Sequence, residues 1–109
     1  TVSVNRRVPH RLKHFDTPTR VHFRQDNTGR RTLLELVAAD QPGLLSMIGR
    51  IFAKRGILVD AAKIATIGER AEDVFYIKDR LDRPITEERQ LDELREVITR
   101  TLDRRDADA

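Results

Sequence analysis

Between Leu34 and Phe52 the apolar residues change period across one short turn, and this constrains the fold more than any other stretch. Leu34, Leu36 and Ala38 alternate with Glu35 and Val37, which is the spacing of a strand. From Leu44 onward Leu44, Leu45, Ile48, Ile51 and Phe52 recur at helical spacing. Asp40-Gln41-Pro42-Gly43 joins the two, so a strand must run directly into a helix. Asp40 is the expected N-cap, Pro42 suits a first turn that needs no N–H, and Gly43 lets another group approach the backbone. A helix start carries unpaired N–H groups and the positive end of the helix dipole. The turn is therefore a candidate seat for a carboxylate, with Asp40 placed to meet an ammonium or amide.

At 109 residues the chain is expected to be one domain with a modest two-layer core. Apolar residues make up 39% and charged residues 36%, which fits a small core under a charged surface. Cysteine is absent, which excludes disulfides and thiolate-bound metals. No apolar run reaches membrane-spanning length and no signal peptide is recognisable, so a cytoplasmic setting is expected. The first residue is Thr rather than Met, which suggests a piece of a longer protein. The net charge of +3 is unevenly spread: residues 1–24 carry six Lys/Arg against one Asp, whereas residues 25–79 carry eight of each sign. The basicity belongs to the N-terminal arm.

Residues 1–18, interrupted by Pro9 and Pro18, read as a basic linker from an upstream domain, with a possible short strand at Val2–Val4. Residues 19–104 form the expected domain. Strands are expected over 19–25 and 31–39, joined in a hairpin through Asp26-Asn27-Thr28-Gly29. A helix over Pro42–Arg55 should stop at Gly56. One long strand, Ile57–Ile67, should return through Gly68-Glu69 into a strand at Arg70–Lys78. A second helix starts near Thr86 and buries Leu91, Leu94, Ile98 and Leu102. The tail from Asp103 is expected to fray, with 105–109 outside the domain. The order ββαββα makes an α+β fold: a four-stranded antiparallel sheet with two helices on one face, a permuted ferredoxin-like pattern. The expected spatial order is 19–25, 31–39, 70–78, 57–67.

Catalytic chemistry finds little support. His10 and His14 lie in the arm, and His22 alternates outward on an edge strand. Ser3 and Ser46 have no histidine nearby in sequence to activate them. The single glycine of Asp40–Gly43 matches neither a phosphate loop nor a dinucleotide fingerprint. Glu72-Asp73 and Glu87-Glu88 read as solvated acids. Nucleic acid binding is weighed because related sheet topologies bind RNA, but those modules stack bases on exposed aromatics of the central strands. Only Tyr76, or Phe75 if the faces are reversed, is available for that. The sheet is apolar on both faces: Leu33 and Val37 oppose Leu34 and Leu36, and Leu58 and Ile64 oppose Ile57, Val59 and Ile67. A second domain is expected to cover the other face or an edge. Such pairing brings one domain's turn against the other's strand at Leu58–Lys63 and makes a small-molecule site at the interface.

The strand–Asp-Gln-Pro-Gly-Leu-Leu–helix unit, with Arg50-Ile51-Phe52-Ala53 and Gly56-Ile57 after it, resembles the ACT domain, a small regulatory module that senses amino acids. Ala62-Lys63-Ile64-Ala65-Thr66-Ile67-Gly68-Glu69-Arg70-Ala71-Glu72-Asp73-Val74-Phe75-Tyr76-Ile77 is similar to the C-terminal ACT domain of bacterial bifunctional PII uridylyltransferase/uridylyl-removing enzymes. So is Leu12-Lys13-His14-Phe15 followed by Thr19-Arg20-Val21. The resemblance implies a glutamine sensor in a parent that adds UMP to PII signalling proteins and removes it. The parent would use Mg in its catalytic domains, while this part would need no cofactor and have no activity alone. It further implies a ligand turn at Asp40, Gln41, Pro42, Gly43, Leu44 and Leu45. The facing strand of a paired domain falls on Leu58, Val59, Asp60, Ala61 and Ala62, where relatives are often polar or glycine-containing. The expected partners are glutamine, a second ACT domain or a second copy of this chain, and PII through the parent. No nucleic acid or membrane is expected. The alternatives are an effector module of another amino-acid enzyme, binding a different ligand, and a nucleic acid-binding ferredoxin-like module.

Overall fold

A computed structural model describes residues 17–108, with the side chains of 105–108 left aside. The linker reading of the arm, with Val2–Val4, His10 and His14, lies outside the described residues. Seven elements follow in order: β1 Arg20–Gln25, β2 Thr32–Ala39, α1 Leu44–Lys54, β3 Leu58–Lys63, β4 Thr66–Ile67, β5 Arg70–Lys78 and α2 Glu88–Asp108. The sheet runs β1-β2-β5-β3, all pairs antiparallel, with the short β4 also on β5. This is the expected spatial order.

Strand alternation builds the core. Leu34, Leu36 and Ala38 of β2 and Ala71, Phe75 and Ile77 of β5 share one face of the sheet with Val21. Ile48, Ile51 and Phe52 of α1 and Leu94, Ile98 and Leu102 of α2 pack on that face. Phe52 and Phe75 meet edge to face at 5.6 Å between centroids. Gly56, at φ 69°, closes α1 as expected. There the Ile57 N–H donates to the Phe52 carbonyl at 2.9 Å and the Gly56 N–H to that of Ala53 at 3.3 Å.

Three expected boundaries move. Helix α1 begins at Leu44 rather than Pro42, because Gly43 sits at φ 78° outside the helical region. Gly43 is the N-cap, and no side chain caps the helix, so Asp40 does not play that part. The long strand 57–67 is broken twice. A register shift between Val59 and Ala61 turns Asp60 aside, and the chain leaves the ladder before β4. At that break the Ala65 N–H donates to the Asp73 carboxylate at 3.2 Å, while the Ala65 carbonyl accepts from Glu72 N–H at 2.9 Å. The tail expected to fray from Asp103 is helical in its backbone to Asp108, for Arg104-Arg105-Asp106-Ala107 holds no residue that stops a helix.

Candidate functional site

Asp40 leaves the end of β2 with its N–H still bonded to the Glu69 carbonyl at 2.9 Å, so the turn starts from a fixed point on the sheet. The left-handed Gly43 then swings the chain into α1. The Met47 N–H donates to the Gly43 carbonyl at 2.9 Å, and the Leu44 N–H makes a longer bond to that of Gln41 at 3.3 Å. No acidic residue lies in the first turn of α1, so the positive end of its dipole is uncompensated by the helix itself. Leu44 is buried in the core, whereas Asp40, Pro42, Gly43 and Leu45 are exposed.

A cavity of about 290 Å³ lies against this turn. Asp40, Gln41, Gly43, Leu44, Leu45 and Ser46 line one side, and Ile64, Thr66, Ala71 and Asp73 the other. All of the expected turn residues except Pro42 thus meet in one place. Asp73 was not among the residues expected here, because Glu72-Asp73 reads as a solvated pair. It is 2% exposed. Alternation carried the signal, since Asp73 falls in step with Ala71, Phe75 and Ile77 on the helix-covered face. Among the described residues, two buried side-chain polar atoms have no hydrogen-bond partner, Asp73 Oδ2 and Gln41 Nε2. Both belong to residues that line this cavity. Burial pushes the Asp73 carboxyl upward, the Ala65 N–H works against that, and the charge of Asp40 adds to the rise.

The strand half of the expected site lies elsewhere on the same chain. Asp60, turned out by the bulge, pairs with Lys78 Nζ at 3.3 Å and Arg31 Nη1 at 3.9 Å. Leu58 and Ala61 pair with Lys78 and Tyr76, across the sheet from the helices. Val59 and Ala62 instead line an apolar groove of about 220 Å³ with Leu45, Ile48, Phe52, Ile64 and Phe75. Of the turn residues, Leu45 lines this groove together with Val59 and Ala62 of the strand half. Among the described residues, Leu45, Leu58, Val59, Ile64 and Ile67 are each about half exposed, all but Leu45 in the β3–β4 region, while the more exposed Leu81 lies apart in the loop after β5. The second face is less open than its alternation suggests. On that face Leu33 is buried, and Arg24–Glu35 at 3.0 Å and Arg70–Glu72 at 2.7 Å form ion pairs.

Tyr76 does lie on the open face, but the Arg31 guanidinium covers its ring at 4.5 Å and Lys63 Nζ lies 5.7 Å from the ring centre. His22 is exposed on β1. No group of three or more potential metal ligands occurs among the described residues. No helix among them is long and apolar enough to cross a membrane.

A sheet of this order with both helices on one face, and a cavity at the first strand–helix turn, defines a small two-layer α+β domain. The ACT domain family matches residues 32–103, and the chain belongs to that family. Curated relatives narrow this further. The chain is similar to the bifunctional uridylyltransferase/uridylyl-removing enzyme of Methylococcus capsulatus, 46% identical over 88% of this chain and 11% of the relative. The enzyme of the same name from Photobacterium profundum is 50% identical over 79% of the chain and 10% of its own length. That from Pseudomonas entomophila is 46% identical over 91% and 11%. The chain thus spans about a tenth of the length of these relatives. No solved structure matches it.

Proposed function

We propose that this chain is the glutamine-sensing ACT module of a cytoplasmic bifunctional uridylyltransferase/uridylyl-removing enzyme, controlling UMP transfer to and from a PII signalling protein. The observation that carries the reading is similarity to enzymes of that name along nearly the whole chain. The cavity at the turn supplies the place for the ligand. The amino acid's α-carboxylate sits at the uncapped start of α1, on the backbone of Gly43, Leu44 and Leu45, where it competes with the Gln41 carbonyl for the Leu44 N–H. Asp40, exposed at the mouth, meets the ammonium. Catalysis belongs to other parts of the parent, which would supply their own Mg.

A second ACT domain, from the parent or from another copy, pairs along the exposed β3 edge. That brings its own turn against Leu58, Val59, Asp60, Ala61 and Ala62 of this chain. Ligand that prefers one pairing shifts the population of pairings by its differential affinity, which is how a sensor acts on distant catalytic domains. Calorimetric titration of the full-length protein with glutamine tests the reading. Saturable binding that weakens at least about tenfold in Asp40→Ala is expected, the loss of one charge-assisted contact. An absence of glutamine binding overturns the sensor, and an unchanged affinity in the variant overturns the role of Asp40. If another amino acid binds instead, the chain senses a different effector.

A further inference from the structure

We propose that Asp73 and Gln41 form a carboxamide-recognition pair at the inner end of the cavity, and that Asp73 is the residue that separates glutamine from glutamate. The inference rests on the reading of the turn as an amino-acid seat. It starts from the two orphaned atoms. A buried polar atom without a partner costs roughly 1–3 kcal/mol, so two in the wall of one cavity form an unusual pairing. One is an acceptor, Asp73 Oδ2, and the other a donor, Gln41 Nε2.

A single group that answers both would offer an N–H to Asp73 and an oxygen to Gln41. A carboxamide carries both in one plane. An ammonium offers donors only and leaves the Gln41 amide unanswered. It would also bring a second full charge against two atoms that are closed to water, whereas a neutral amide is buried at much lower cost. A carboxylate, the side chain of glutamate, can answer Gln41 but sets its charge against Asp73, with Asp40 close enough to act on Asp73 as well. The position of Asp73 is held firmly. Its residue lies in the middle of β5, paired with Leu36 of β2, and Oδ1 accepts the Ala65 N–H at 3.2 Å. Gln41 lies on the turn, outside any element. Both orphaned atoms are closed to bulk water, so the ligand reaches them only as the turn around Gln41 gives way.

Asp40 at the mouth and Asp73 at the inner end then read opposite ends of one molecule, the charged amino-acid head and the neutral side chain. Calorimetric titration of the full-length protein with L-glutamine and with L-glutamate tests this on the wild type, Asp73→Asn and Gln41→Met. Asp73→Asn keeps an oxygen for the Ala65 N–H and presents an NH2 where Oδ2 stood. The expected result is a loss of glutamine affinity of about tenfold or more, with glutamate unchanged or tighter, so that the glutamine preference collapses. Gln41→Met removes the donor and should weaken glutamine by about tenfold. A merely structural role for Asp73 would weaken both amino acids alike, and that result overturns the proposal. So does an unchanged glutamine-to-glutamate ratio in an Asp73→Asn protein that melts cooperatively. Failure of the wild type to bind glutamine would instead remove the sensor reading, and this inference with it.

Discussion

The two ends of the sheet treat their buried polar groups in opposite ways. At the hairpin end, between β1 and β2, no buried side-chain polar atom among the described residues lacks a partner. The Asp26 carboxylate accepts from the Thr28 hydroxyl at 3.0 Å, the Arg30 N–H at 3.0 Å and the Arg31 side chain at 3.3 Å. Thr32, fully buried, accepts the Ile85 N–H at 2.8 Å and makes further bonds to the Ile85 carbonyl and the Gln25 side chain. At the turn end, an equally buried Asp73 keeps one oxygen bonded and one without a partner, and Gln41, lining the same cavity, has an orphaned amide nitrogen. A saturated cluster stabilises a fold. An unsaturated one carries a cost, and on residues that line a cavity it is where the proposed ligand would be read.

A change in the core shared by both ends should have the largest effect and erase the contrast. Ile98, fully buried between helix and sheet, should cost about 2–5 kcal/mol on truncation to Ala, with both ends unfolding in one denaturant transition. Thr32→Val should cost about 1–3 kcal/mol by stranding the Ile85 backbone. The same variant should leave glutamine affinity unchanged, because it touches only the hairpin end. A loss of affinity there would break the division of labour.

Acid titration sharpens the comparison. Burial alone would raise Asp26, but its hydrogen bonds from Thr28, Arg31 and Arg30 outweigh that and lower it from 3.8 to about 2. A lowered folded-state value means that its stabilisation is present above about pH 4 and is lost as pH falls through about 2. Asp26→Asn should flatten that acid limb in a pH series of melting curves. Asp73 has the opposite sign. Its value is raised, so its protonated form favours folding below pH 3.8, and that favour is lost as pH rises through the folded-state value. Asp73→Asn should therefore raise the ligand-free melting temperature at neutral pH. The rise should be the smallest effect of the series, no more than about 4 °C. A lowered melting temperature would show that the orphaned oxygen is not a cost to the fold.

Strand order, the closing glycine of α1 and the bounds of β5 could all be read from periodicity, because alternating and helical spacings there are uninterrupted. The break in the 57–67 strand could not. Val59-Asp60-Ala61 keeps the look of a strand, and the bulged Asp60 finds its partners, Lys78 and Arg31, on other segments. The helix start was misplaced for a related reason. Pro42 fits a first turn, but Gly43 takes a left-handed conformation, and two residues are spent turning the chain. The turn itself was legible as a strand–helix junction. Its inner wall was not, because Asp73 sits next to Glu72 and two adjacent acids look solvated. The alternation that places one of them outward places the other inward.

The most direct measurement of the contrast is a map of backbone amide shifts on addition of glutamine. If the turn end is the sensor, shifts should concentrate at Gly43, Leu45, Ser46, Ala65 and Asp73, while Asp26, Arg30, Arg31 and Thr32 stay still. Shifts centred on the hairpin, or none at saturating glutamine, would contradict it.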